Sequence, residues 1–473
     1  MFLDLPAELL ALVARHLPYS SDRLRLASCC RRLWKATRQE AYISINVHYF
    51  CEKSLHSLVE ILLDTPDLAQ QVTCISLAKS KSPPCQSHLF DSRLTQPSMR
   101  QSVSALVRGF APSDAEYNKW MAAAIPKEEC SLLGQDLWLT MLLHCVPNIK
   151  WLDMEWGGHT DVSERFLAFV SQNDGFRRLT EATIQVPFNH GGLFKLYKIA
   201  PFFRLQSMRK FKGVLISDLH DRDKGRFDDL VPSKSSPIEH IEMVETSSIT
   251  GFMQVICACK NLKSFTCLGR EGYDDLPPGN YMATHFRCVF VEDLSKSFAV
   301  AKDSLEHLCF DMYYPEQMYE LGWLGSLTDY TNLRTLHLRL RDLLHIDFAE
   351  DCRNDPPTFV ALPDTLPASL ERLYVSDFDY PFLAGLRELE ILVHAKDRFP
   401  HLRVIDIEGG WEESSRSGDI YSRANPLRRV CEEAGIEFNI RDYMTEVEHR
   451  GKPEVESEDH WSHQFGNIHM FTI

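Results

Sequence analysis

The side chains best suited to chemistry are cysteines and histidines near the middle of the chain. Cys257, Cys259, Cys267, His285 and Cys288 form the densest set of possible metal ligands. Structural zinc sites use paired C-x-x-C ligands, which this spacing lacks. Cys257 and Cys259 lie two residues apart in a predicted helix, where their side chains face different directions. Buried thiols therefore explain these residues better than zinc, and we predict neither a metal nor any other cofactor.

The sequence also lacks the common catalytic and nucleotide-binding motifs. It contains no G-x-x-x-x-G-K-[ST], no G-x-G-x-x-G opening a helix, no G-x-S-x-G and no H-E-x-x-H. His460, His463 and His469 lie close together near the C-terminus, but no carboxylate or cysteine at matching spacing completes a metal site. We predict a solvated tail there and a protein without catalytic activity.

The charge balance argues against a nucleic-acid partner. Acidic residues number 66 and basic residues 51, which leaves a formal charge of −15 at pH 7. A basic stripe on the third predicted helix is interpreted as a solvated face, and its members are Arg31, Arg32, Lys35 and Arg38. No charge-free stretch approaches the roughly 18 residues of a membrane span, and no basic leader precedes the N-terminal apolar run. We therefore expect an intracellular protein that binds no membrane.

Three helices are predicted at the N-terminus. Pro6 suits a first helical turn, and apolar residues four apart predict a helix from Leu5 to about His16. The polar run Tyr19–Asp22 opens a second helix, and a third runs from Cys30 to about Glu40. A helical unit of this size cannot bury all its apolar surface alone, so it must pack on a neighbour or on a partner.

A pattern of apolar residues recurs along the rest of the chain. In each copy they occupy relative positions 1, 4 and 6, as in Leu333, Leu336 and Leu338. This L-x-x-L-x-L spacing is typical of the strand of a leucine-rich repeat. The central residues are Leu152, Ile241, Phe265, Leu308, Leu336, Leu373 and Ile405, with weaker copies at Ala182 and Phe211. Consecutive centres lie 24 to 43 residues apart, often more than in regular repeats, so insertions separate the strands.

Helical segments between these strands complete the predicted architecture. The candidates are Ser163–Asn173, Gly251–Lys260, Phe382–Ala395 and Asn425–Gly435, with Ile436–Ile440 as a closing strand. Turn-rich segments predict loops over 78–88, 223–237, 269–280 and 349–359. Alternating strands and helices predict an α/β fold, an irregular leucine-rich-repeat solenoid with a curved parallel sheet. We divide the chain into a helical module over 1–45, the solenoid over 46–445 and a polar tail over 446–473.

The N-terminal module follows a known pattern of about 40 residues. L-P-x-E-[LI]-[LI], two spaced apolar residues, D-L-x-x-L and C-R-x-[LW] fall on Leu5, Pro6, Glu8, Leu9, Leu10, Val13, Leu17, Asp22, Leu24, Leu26, Cys30, Arg31, Leu33 and Trp34. The module thus resembles the F-box, a three-helix domain. Arg23, between Asp22 and Leu24, departs from the pattern. The long, irregular repeats look most like those of F-box proteins from filamentous fungi.

The resemblance implies a substrate-recognition subunit of an SCF-type, cullin-based ubiquitin ligase. The F-box would dock on a Skp-family adaptor, and through it on a cullin, while the repeats present a protein substrate in the cytoplasm or nucleus. The expected adaptor-binding residues are Leu5, Pro6, Glu8, Leu9, Val13, Leu17, Leu24, Leu26, Cys30 and Leu33. The same leucines could instead cap the open end of the solenoid. A scaffold outside a ligase and an enzyme hidden in the insertions are the alternative functions.

The concave face of the sheet is the second predicted site. Side chains that flank the core positions point away from the core, so they should line this face. They are Asp153, Glu155, Glu242, Asp311, His337, Arg339, Arg341, Arg372, Asp377, Asp406 and Glu408. This set is acidic at its ends and basic around Leu336, which favours a protein partner that presents lysines or arginines. A solvated sheet face without a ligand is the alternative.

Overall fold

The structure is a computed structural model of the chain. It describes residues 2–17, 19–48, 52–78, 97–111, 113–124, 132–155, 176–185, 194–217, 226–244, 251–269, 291–311, 323–344, 360–378, 382–409 and 420–442. These residues divide between two compact units. The first takes its described residues from Met1–Gly192 and Arg204–Met208, and the second from Leu193–Phe203 and Arg209–Pro453. The predicted boundaries after residues 45 and 445 stay predictions.

Helices predominate in the described residues before Trp151, and further along the chain they alternate with strands. In chain order they are α1 (Ala7–His16), α2 (Ser20–Ser28), α3 (Arg31–Tyr42), α4 (Glu52–Asp64), α5 (Pro66–Ala69), α6 (Pro97–Phe110), α7 (Asp114–Ala124), α8 (Leu132–Cys145), α9 (Ala200–Arg204), α10 (Arg226–Leu230), α11 (Gly251–Ala258), α12 (Val291–Phe298), α13 (Leu340–Leu343), α14 (Phe382–His394) and α15 (Ile420–Glu433). Short 3-10 helices lie at Phe2–Asp4, Leu196–Ile199, Ala299–Ala301, Leu362–Asp364 and Lys396–Arg398. Three helices therefore occupy the N-terminal segment where three were predicted.

The first unit contains four parallel strands. They are β1 (Ser44–His48), β2 (Cys74–Ala78), β3 (Trp151–Glu155) and β4 (Glu181–Gln185), paired in chain order. Ile45, Ile75, Leu152 and Ala182 are register partners from strand to strand, and all four are buried. The alternation of buried and half-buried residues along β3 and β4 is that of a sheet with one face on the core.

The second unit contains eight strands in one parallel sheet and a small two-stranded pair. The pair is β5 (Phe194–Lys195) with β7 (Ile216–Ser217). The sheet runs β6 (Lys210–Val214), β8 (His240–Val244), β9 (Ser264–Leu268), β10 (His307–Asp311), β11 (Thr335–Arg339), β12 (Arg372–Ser376), β13 (Val404–Gly409) and β14 (Glu437–Asp442). Its central register row is buried and consists of Phe211, Ile241, Phe265, Leu308, Leu336, Leu373, Ile405 and Phe438.

The predicted strand centres are confirmed. All seven clear copies and the two weaker ones lie in strands, and β14 is the predicted closing strand, beginning one residue later. Packing explains the rule, because the apolar positions 4 and 6 of each copy point to one face and meet helices. In α11, for example, Phe252, Val255 and Ile256 are buried, and the Phe252 and Phe265 rings meet edge to face with centroids 6.0 Å apart.

Three of the four predicted helices lie within the described residues, and all three are confirmed. They correspond to α11, α14 and α15, although α15 begins five residues before the predicted start at Asn425. The fourth, Ser163–Asn173, lies outside the described residues, as do the polar tail and nearly all of the loops predicted over 78–88, 269–280 and 349–359. The loop predicted over 223–237 was wrong in part, because α10 buries Phe227 as a helical turn.

Candidate functional site

The three N-terminal helices have a small core of their own. Leu10 and Ala14 of α1, Ala27 of α2 and Leu33 of α3 are buried. Leu10 and Ala14 lie four residues apart and therefore share the inner side of α1. Leu33, one of the predicted adaptor contacts, belongs to this core instead of the surface.

Polar contacts of three arginines hold the helices together. The Arg15 guanidinium donates to both carboxylate oxygens of the buried Glu40, at 2.7 and 3.2 Å, and so joins α1 to α3. Arg32 donates to the Leu5 carbonyl oxygen at 3.1 Å. Arg23, the departure from the F-box pattern, donates through Nε to the Leu17 carbonyl oxygen at 2.9 Å. It therefore satisfies a carbonyl at the end of α1, and burial lowers the pKa of its guanidinium.

The outer side of α1 carries an apolar surface. Leu9 and Leu12 are each 45% exposed and Val13 is 37% exposed, and Pro6 at the start of the helix is exposed as well. Spacings of three and four residues place these side chains in one stripe, which runs beside the buried Leu10 and Ala14. We call Pro6, Leu9, Leu12 and Val13 the α1 stripe. Leu12 was not among the predicted contacts, although its position three residues after Leu9 could have identified it.

The remaining predicted adaptor-binding residues differ in exposure. Glu8 and Leu24 are exposed, whereas Leu5, Leu17, Leu26 and Cys30 are half-buried. The alternative in which the N-terminal leucines cap the solenoid requires them to be buried. Leu9, Val13 and Leu24 instead keep more than a third of their surface accessible. A group of apolar side chains that are exposed to this extent is typical of an interaction surface.

The basic stripe borders an open cleft between α1 and α3. The cleft has a volume of about 460 Å³, and its lining residues are Ala7, Leu10, Arg31, Arg32, Lys35 and Ala36. Arg31, Arg32 and Lys35 are exposed, and Arg38 is half-buried. The prediction that the basic stripe is solvated therefore holds for Arg31, Arg32 and Lys35, whereas Arg38 is partly covered.

In the second unit, the side of the sheet opposite the apolar row carries polar side chains. We call this the polar face, and its members among the predicted residues are Glu242, Asp311, His337, Arg339, Arg372, Asp406 and Glu408. Most of them pair across neighbouring strands. Lys212 on β6, for instance, contacts Glu242 on β8 at 2.6 Å. The polar face is therefore a set of ion pairs between repeats.

Asp406 lies at the centre of one of these groups. Its carboxylate is fully buried and accepts from Arg372 Nε at 3.0 Å and from Asn439 Nδ2 at 3.1 Å, with Arg441 Nη2 at 3.5 Å. Beside it, the Tyr374 hydroxyl donates to Glu408. Burial and the Glu408 carboxylate raise the pKa of Tyr374. These residues join β12, β13 and β14, so Asp406 is a structural contact and not an open binding residue.

The basic stretch around Leu336 is also internally paired. Arg339 is 5% exposed and donates to the buried Asp342 at 3.0 and 3.3 Å. Arg341 was predicted on the face of a strand, and this was wrong, because it lies in α13 directly after β11. Its Nε lies 3.6 Å from Asp377, which follows β12 with a positive φ of 52°. Both arginines are therefore paired with aspartates, and the basic surface expected around Leu336 is neutralised.

Of the predicted face residues in the first unit, Asp153 and Glu155 lie on β3. Both are half-buried, and Asp153 accepts a hydrogen bond from the Ser76 hydroxyl of β2 at 3.2 Å. The same pairing between neighbouring strands thus occurs in both units.

The cysteines considered as metal ligands are dispersed where the structure describes them. Cys257 is half-buried on α11, Cys259 is buried directly after it, and Cys267 is buried on β9. Burial raises the pKa of all three thiols. His285, Cys288 and the three tail histidines lie outside the described residues. Among the residues that are described, no group of three or more His, Cys, Asp or Glu side chains is arranged to hold a metal ion.

Comparison with known proteins identifies the repeats. Residues 176–405 match the family model of a leucine-rich repeat domain, a range that begins before β4 and ends in β13. This part of the chain therefore consists of leucine-rich repeats, which are protein-binding repeats. The matched range leaves out the N-terminal helices, and no curated protein matches the chain. None of the helices in the described ranges is long and apolar enough to cross a membrane.

Proposed function

We propose that this chain is a substrate-recognition subunit of an SCF-type ubiquitin ligase. In this proposal α1 to α3 form an F-box that docks on a Skp-family adaptor, and the adaptor binds a cullin. The leucine-rich repeats bind the protein substrate, in the cytoplasm or the nucleus. The chain itself contributes recognition and no catalysis.

The α1 stripe is the observation that carries the adaptor half of the proposal. The core of the module contains Leu10, Ala14, Ala27 and Leu33, and the stripe lies outside this core. Four exposed apolar side chains along one helix are what a helix presents to a hydrophobic groove on a partner. Leu24 adds exposed apolar surface from α2.

The first prediction concerns Leu9→Ala combined with Val13→Ala in the full-length protein. Truncation of central apolar anchors weakens an interface strongly, so we expect co-purification with a recombinant Skp-family adaptor to fall by about tenfold or more. Thermal stability should stay close to that of the wild type, because both side chains are exposed.

Leu383→Ala with Ile391→Ala is the matched control. These side chains are 48% and 38% exposed on α14, so the same apolar surface is removed far along the chain from the module. The control should retain the adaptor. Full retention by the Leu9/Val13 variant would refute the F-box assignment.

Recovery of a cullin together with the adaptor distinguishes a ligase subunit from a scaffold that acts outside a ligase. A receptor subunit should bring both adaptor and cullin into one complex, and this complex should ubiquitinate a captured partner. Recovery of the adaptor without cullin would favour a scaffold that acts outside a ligase.

A further inference from the structure

A cysteine, a histidine and an aspartate meet on the polar face at β10 and β11. Cys309 and His337 are register partners on these two neighbouring strands. Asp311 lies two residues after Cys309, so its side chain emerges on the same face. The sheet itself therefore brings the three side chains together.

The distances within this group are those of hydrogen-bonded partners and an ion pair. Cys309 Sγ lies 3.1 Å from His337 Nδ1, and His337 Nε2 lies 3.5 Å from Asp311 Oδ2. The imidazole therefore stands between the sulfur and the carboxylate, one ring nitrogen to each. The Tyr374 ring packs against it from β12, with centroids 4.1 Å apart, and fixes the plane of the ring.

The surroundings of His337 make it a strong base. Burial opposes its charged form, but Cys309 and Asp311 together raise the pKa of His337 to about 10. The pKa of the Asp311 carboxyl is lowered despite its burial, because His337 and Arg339 stabilise its charge. His337 is therefore protonated at neutral pH, and its charged ring lies 3.1 Å from the Cys309 sulfur.

Cys309 also differs from its neighbours in access. Cys267, on the adjacent β9, is buried on the core side of the sheet, and Cys259 and Cys431 are buried as well. Cys309 is half-buried on the polar face and is therefore more exposed than these three cysteines. Reactive cysteines combine partial exposure with a neighbouring cationic histidine, and this combination is present here.

From this geometry we infer that Cys309 is a redox-modification site that hydrogen peroxide oxidises, with His337 as its base and Asp311 as the residue that orients the imidazole. The site is independent of the adaptor contact, and its test does not depend on ligase activity.

The reaction balances with peroxide as the only co-reactant. The Cys309 sulfur attacks one peroxide oxygen, so that an S–O bond forms and the O–O bond breaks. The protonated His337 donates a proton to the departing hydroxide, which leaves as water, and takes up the proton of the Cys309 thiol in return. Sulfur is oxidised to a sulfenic acid and the peroxide is reduced to water.

The test is peroxide treatment of the full-length protein at neutral pH in the presence of dimedone, which traps sulfenic acids, followed by peptide mass spectrometry. Cys29 serves as the internal control, because it is exposed and its Sγ contacts a neutral group, the Arg25 carbonyl oxygen, at 3.2 Å. Since a positioned base accelerates such a step, we expect trapping at Cys309 to be about ten times faster or more than at Cys29.

His337→Gln should bring the Cys309 rate down to that of Cys29. Cys259, Cys267 and Cys431 report on folding in the same experiment, since they react only if the core opens. Equal trapping at Cys309 and Cys29 in the wild type would overturn the inference, as would an unchanged Cys309 rate in a folded His337→Gln variant. If that variant unfolds, the wild-type comparison alone decides.

Discussion

A buried histidine makes the first unit sensitive to acid. His56 on α4 is 5% exposed and stacks on Trp138 of α8, with ring centroids 4.0 Å apart. Burial lowers the pKa of His56 to about 4. An imidazole that stays neutral in the folded protein, but takes up a proton when unfolded, favours the unfolded state as the pH falls.

The second prediction follows from the direction of that shift. The destabilisation should begin as the pH drops below the unfolded pKa of about 6.5 and grow until the folded pKa is reached. Between about pH 7 and pH 5, His56 should cost the folded state about 2 kcal/mol. Denaturant unfolding at both pH values should show a smaller loss in His56→Gln than in the wild type. Equal losses would contradict the role of His56, since His144 and the other titrating groups remain in both proteins.

At the level of single side chains, the sequence predicts some contacts and leaves others unpredicted. Spacing placed Leu9 and Val13 in one group, but only the packing of α3 on α1 shows that they face outward while Leu10 faces inward. The Cys309–His337 contact could have been derived, because aligning Leu308 with Leu336 in the repeat pattern makes those two residues neighbours. The burial of Asp406 could not, since it depends on arginines from two other strands.

At the level of the element, the third prediction tests the repeat register. Leu336 is fully buried on β11 between Leu308 and Leu373. Leu336→Asp places an unpaired carboxylate in this core, so it should lower the free energy of unfolding by several kcal/mol. Thr335→Asp is the matched control, because Thr335 is half-buried on the opposite face of the same strand. Equal denaturation midpoints for the two variants would contradict the register.

The strands and helices differ in how far the sequence predicts them. The L-x-x-L-x-L pattern located nine strand centres because leucine-like residues recur at fixed spacing. β1 and β2 have the same spacing of apolar residues, and in β1 these are Tyr42, Ile45 and Val47. Because residues other than leucine occupy these positions, the two strands were not predicted. The helices α4 to α8 were also missed, because their lengths and positions follow no repeat.

For the whole molecule, the net charge of −15 bears on the choice of partner. Internal pairing removes Asp406 from the surface, but Glu242 and Glu408 remain half-buried and accessible on the polar face. If the substrate presents lysines or arginines, electrostatic complementarity there determines its selection. This expectation belongs to the proposed function.

The fourth prediction therefore reverses charge on the polar face with Glu242→Lys and Glu408→Lys. Partners captured by cross-linking and mass spectrometry should lose their basic members, and binding of those members to the wild type should weaken as salt increases. Glu432→Lys with Glu433→Lys is the matched control, with the same change in net charge on exposed positions of α15. An identical partner set for both variants would count against this face.

The register of the second unit also determines how it can assemble. Each strand of its sheet pairs with the next one along the chain, and the paired centres are separated by only 24 to 43 residues. Closing such short loops costs little chain entropy at each step, and no pairing waits for a distant segment. Folding can therefore start at any adjacent pair and spread one strand at a time in either direction. The same property lets β14 detach at the end of the row while the inner pairs stay formed.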